Sequence, residues 1–67
     1  MQTENIRPPS LESVNDVSRR IGRSTRWVWA AVAKGDFPAP VRMSARCTRW
    51  DGRAVDRWIE EQLATAE

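Results

Sequence analysis

Two glycines thirteen positions apart, Gly22 and Gly35, constrain this chain more than any other feature. Glycine enters the left-handed conformation that ends helices without a Cβ penalty. Ser24 stands two residues after Gly22 as an N-cap, so a helix runs from there to Lys34 and stops at Gly35. A preceding helix ends at Gly22. Ser13 with Asp16 three residues on resembles a capping box, and Val14, Val17 and Ile21 fall on one helical face. Only Gly22 and Arg23 separate the two helices. A glycine-bearing connection this short is the spacing of a helix-turn-helix, although other helical hairpins share it.

Gly35 to Pro40 reads as a stiff turn in which Phe37 plugs the core. Val41–Met43 and Arg46–Trp50 read as two short strands about Ser44-Ala45, a pair lacking the glycine or asparagine a tight hairpin turn prefers. Thr48 and Trp50 share one strand face; Cys47 and Arg49 share the other. Asp51 caps a third helix from about Gly52 to Thr65, with Val55, Trp58, Ile59 and Leu63 as its apolar stripe. Glu60 and Glu61 oppose the helix dipole near its C-terminal end. The expected fold is mainly α with a small β-hairpin, in the order helix, helix, hairpin, helix. Residues 1–10, with Pro8-Pro9, form a flexible lead-in, and residues 11–65 form the domain.

At 67 residues only one thin-cored domain is available. No apolar run approaches a membrane span, and the polar, proline-bearing start is no signal peptide. A cytoplasmic location is expected. One cysteine, Cys47, and no histidine leave neither an internal disulfide nor a zinc site. With no histidine and no tyrosine the usual nucleophile and base pairs are missing, and a core this small has little room for an enclosing pocket. The expectation is a non-enzyme without a cofactor.

Charge is distributed unevenly. Residues 19–50 carry seven arginines and Lys34 against Asp36, a balance of +7, whereas residues 1–18 carry −2 and residues 51–67 carry −3. A basic middle between acidic ends is the footprint of a nucleic-acid binder, and arginine in place of lysine suits phosphate and guanine. The alternative is a solvated charged face. On the second helix, at about 100° per residue, Val28, Ala31, Val32 and Gly35 make the core side. Arg26, Ala30 and Ala33 lie opposite, a face of small residues that fits a major groove and whose methyls can touch thymine methyls. Thr25 and Trp29 flank one edge of that face and Trp27 the other. Trp27 and Trp29 cannot both point into one core. Either both pack at its boundary, or one meets the DNA backbone or stacks on a neighbouring arginine. Arg46 and Arg49 project from the hairpin, placed for a minor groove or merely for solubility. Cys47 reads as filler.

Gly22-Arg23-Ser24, Val28-Trp29, Lys34-Gly35-Asp36-Phe37-Pro38-Ala39-Pro40-Val41, Arg49-Trp50-Asp51, Val55 and Trp58-Ile59 together resemble the AlpA-like prophage regulators and excisionases, from about Leu11 to Leu63. The Gly-Asp-Phe-Pro-x-Pro turn followed by Arg-Trp-Asp is the most specific part. The resemblance implies a MerR-like winged helix-turn-helix that regulates promoters of a mobile element or bends attachment-site DNA for an integrase. Arg26, Trp27, Trp29 and Ala30 depart from the family's usual residues, as does Ser44-Ala45 at the wing tip, so base preference does not carry over.

The expected partner is double-stranded DNA, contacted through Arg23, Ser24, Thr25, Arg26, Trp27, Trp29, Ala30, Arg46 and Arg49. The free chain is expected to be a monomer. On DNA, neighbouring copies would touch through the acidic third helix and the Arg19-Arg20-Arg23 cluster. The alternative function is a protein-interaction adaptor that keeps the fold without DNA.

Overall fold

Each helix begins where its first N–H groups find a side-chain acceptor. In the computed structural model, which describes residues 9–66, Ser13 and Asp16 form a complete capping box. The Asp16 N–H donates to Ser13 Oγ at 3.1 Å, and the Ser13 N–H donates to Asp16 Oδ2 at 3.2 Å. That N–H, with the Ser13 hydroxyl and Arg19, holds the Asp16 carboxyl below its ordinary range. Helix α1 spans Val14–Ile21 and closes on Gly22 at φ 71°. Arg23 N–H reaches back to the Ser18 carbonyl at 3.2 Å, the longer bond of a Schellman motif.

Helix α2, Thr25–Lys34, repeats the device. The Ser24 hydroxyl accepts from Trp27 N–H at 3.1 Å, and Gly35 closes the helix at φ 80°. Helix α3, Gly52–Thr65, starts on Asp51, whose side chain accepts from Arg53 N–H at 2.9 Å. These bounds agree closely with the expected ones, because caps and stops are written in adjacent residues.

The sheet holds one more strand than the hairpin. Strand β1 is Leu11–Glu12, β2 is Val41–Ser44 and β3 is Cys47–Asp51, all antiparallel in the order β1-β3-β2. The fold is therefore three helices with a three-stranded sheet. β1 pairs Leu11 with Asp51 and Glu12 with Trp50. Part of the expected lead-in belongs to the domain: the Ser10 carbonyl accepts from Gly52 N–H at 2.9 Å. The remainder, residues 1–8, lies outside the described residues.

The hairpin turn falls one residue later than expected. Ser44 pairs with Cys47, so Ala45 and Arg46 form the turn. Neither has a positive φ, which the favoured two-residue hairpin turns require. The ladder responds with a register shift between Arg42 and Ser44, an extra residue at Met43 that adds local twist.

The core consists of Val17, Val28, Ala31, Phe37, Trp50 and Val55, with Val14, Ile21, Trp27, Val32, Trp58 and Ile59 packed around it. Phe37 plugs the core as expected. Its ring centroid lies 4.9 Å from Trp58, 6.4 Å from Trp27 and 6.5 Å from Trp50. Two indole N–H groups tie down the segment that carries Phe37: Trp50 donates to the Pro38 carbonyl at 2.8 Å, and Trp58 to the Asp36 carbonyl at 2.9 Å. Leu63 departs from the expected stripe of α3. It is 71% exposed, beyond the reach of the small core. No helix among the described residues is long and apolar enough to cross a membrane.

Trp58 therefore has two separable duties. Trp58→Ala is expected to cost ~3–5 kcal/mol through lost aromatic packing. Trp58→Phe keeps a ring, loses the N–H, and is expected to cost only ~0.5–1.5 kcal/mol. Denaturant melts of the two variants check the order; equal losses would assign the whole effect to the hydrogen bond.

Candidate nucleic-acid interface

The arginines of residues 19–50 fall into two sets. Arg20 belongs to the scaffold: its Nη1 donates to Glu12 Oε2 at 2.6 Å, and its Nη2 pairs with Asp56 Oδ1. One planar fork thus joins β1, α1 and α3. Glu12, at 8% exposure, is the only buried charged residue among those described. Desolvation alone would lower the Arg20 pKa, but the bonds to Asp56 and Glu12 outweigh it and raise the value. Arg19 pairs with Asp16 at 2.6 Å within α1, and Lys34 lies 4.0 Å from Asp36.

Arg23, Arg26, Arg42, Arg46 and Arg49 form the other set. None of them has a carboxylate partner among the described residues. All five lie between the turn that precedes α2 and the end of β3. The cluster expected at Arg19, Arg20 and Arg23 is mostly engaged within the chain: Arg19 by Asp16 one turn earlier, and Arg20 by carboxylates that β1 and α3 bring to it.

The α1–α2 connection is held tightly. The Ser18 hydroxyl donates to the Arg23 carbonyl at 2.5 Å, which adds a side-chain clasp to the glycine-closed turn. Arg23 lays its guanidinium over the Trp27 ring, 4.6 Å from the centroid. Ser24 is spent partly on capping, and Thr25 is half-buried.

On α2 the two tryptophans part company. Trp27 turns inward and makes edge contacts with Phe37 and with Trp58, the latter at 6.2 Å. Trp29 stays 44% exposed, its ring 5.1 Å from that of fully buried Trp50. One edge of α2 is therefore fixed against α3 and the other against the sheet. Between those edges Arg26, Ala30 and Ala33 are exposed, as the 100° spacing predicts. The hairpin lies on the Trp29 side, since Trp50 belongs to β3.

Arg46 stands exposed in the hairpin turn. Arg49 is half-buried, and its Nη1 donates to the Thr48 carbonyl at 3.0 Å. Arg42, exposed on edge strand β2, was not among the residues expected at the interface. Its signal in the sequence is only its place in a strand two residues before the wing tip. Cys47 is a free, half-buried thiol. The sequence-predicted residues thus come together as an exposed helix face flanked by a basic hairpin, with Trp27 turned to the boundary of the core. No family model, curated protein or solved structure matches this chain.

The division has a direct consequence for stability. Arg20→Ala removes a cation shared by Glu12 and Asp56 and is expected to cost ~1–3 kcal/mol. Arg26→Ala and Arg46→Ala touch exposed groups without carboxylate partners and should stay within about 0.5 kcal/mol of the parent. Thermal melts of the three variants check this; a stable Arg20→Ala would remove the fork from the scaffold.

Proposed function

We propose that this chain is a winged helix-turn-helix protein that binds double-stranded DNA, serving a bacterial mobile element as transcriptional regulator or excision factor. The observation that carries the reading is the set of five arginines without carboxylate partners, on α2 and the hairpin and at the turn before α2. A scaffold that uses its carboxylates on Arg19, Arg20 and Lys34 leaves five arginines uncompensated in residues 23–49. In this reading α2 enters the major groove, and the β2–β3 hairpin is the wing, with Arg46 and Arg49 at the phosphates or the minor groove. Arg23 and Ser24 lie at the N-terminal end of α2, where N–H groups and positive charge favour phosphate.

The mobile-element role rests on the resemblance of the turn and strand residues to the AlpA-like regulators and excisionases. It brings a cytoplasmic location, an integrase as a possible partner for the excision role, and no catalytic activity or cofactor. The adaptor reading draws on one observation, a surface groove lined by Ile21, Trp27, Trp58, Ile59 and the exposed Leu63. That groove lies between α1, α2 and the C-terminal half of α3, away from the sheet.

Salt titration separates the two readings. If about five phosphates are neutralised, log K on duplex DNA should fall with log salt at a slope near −4 to −5. A flat response would favour the adaptor. On a duplex selected for tight binding, Arg26→Ala is expected to lose ~1–3 kcal/mol, and much less on random duplex. Equal losses on both would restrict Arg26 to phosphate contact.

A further inference from the structure

The exposed side of α2 has a restricted chemical vocabulary. From Thr25 to Lys34 the helix contains no Asn, Gln, Asp, Glu, Ser or His. In the major groove, adenine is read by Asn or Gln and cytosine by Asp or Glu. Guanine is read by Arg or Lys, and thymine offers a methyl group to apolar side chains. Thr25 hydrogen-bonds donors and acceptors alike and discriminates little.

The geometry narrows this further. Lys34 lies in the last turn beside the Asp36 carboxylate, whereas Arg26 stands exposed without one. Trp29 and Ala30 each lie three or four residues from both Arg26 and Ala33, so the four form one contiguous patch. Trp29 cannot turn inward, because Trp50 fills the space behind it and is itself anchored to the Pro38 carbonyl. Its ring is a largely apolar plate beside two alanine methyls, with the Arg26 fork at one corner and its own indole N–H as the other donor.

We propose that α2 reads the 5-methyl groups of thymine through Trp29, Ala30 and Ala33, next to one guanine taken by Arg26. This rests on the DNA-binding reading and adds the chemical class of base edge that the helix recognises. The readout is apolar: a methyl removed from water against the patch contributes about fourfold in affinity.

The test starts with selection of tight-binding duplexes from a random synthetic library by the full chain. The recovered duplex is then resynthesised with deoxyuridine for thymidine, which deletes the methyl groups and keeps base pairing. Expected is a loss of about fourfold for each contacted methyl, and a smaller gap between the two duplexes for Trp29→Ala. Equal affinity of the parent chain for both duplexes would overturn the proposal, as would a gap unchanged in folded Trp29→Ala. The parent comparison needs no variant and decides the matter should Trp29→Ala fail to fold. A selection that yields nothing tighter than random DNA overturns the inference while salt-dependent duplex binding keeps the broader reading. Loss of all duplex binding overturns both.

Discussion

Phe37 is held between three tryptophans, one from each element that must be kept in place. Trp27 comes from α2, Trp50 from β3 and Trp58 from α3. Each such side chain buries ~150–250 Å², a large share of what a domain this small can remove from water. The two indole N–H groups would be costly to bury without acceptors. Both find carbonyls on the very segment that carries Phe37, so apolar burial and polar satisfaction coincide. Helix α2 is thereby gripped along both edges, and the direction of its outward face follows from the packing of rings rather than from the helix itself.

Electrostatics follows from the same economy. The buried end of the ion-pair system, Glu12, needs Arg20, and Arg20 in turn reaches Asp56. A partly buried pair of this kind adds little net stability over an apolar substitute, but removing one partner is expensive. Its larger effect is to consume acidic groups. Fewer carboxylates then remain to compensate the arginines of α2 and the hairpin, so that stretch keeps its positive field.

The helices were readable because their determinants are local. A serine cap, an acidic residue three positions on and a closing glycine all act within one turn. Strand β1 was not, because two residues carry no periodicity and their partners lie some forty positions away. The hairpin turn shifted by one residue since an unfavourable Ser44-Ala45 or Ala45-Arg46 pair leaves register to the sheet rather than to turn chemistry. At the candidate site, spacing identified Arg26, Ala30 and Ala33 as one face. It showed that Trp27 and Trp29 cannot both point into one core, and left open whether both pack at its boundary or one faces outward. That choice belongs to Phe37 and Trp58, side chains contributed by later parts of the chain. The engagement of Arg20 was hidden for the same reason.

The patch of Arg26, Ala30 and Ala33 takes no part in the core, while α2 is fastened by the Ser24 cap at one end and the left-handed Gly35 at the other. Exposed face and folded frame are therefore nearly independent variables. The residues of that face could be exchanged, one at a time, without crossing a folding threshold. The same separation makes the chain a scaffold for combinatorial libraries: three surface codons can be randomised while the rings beneath hold the frame.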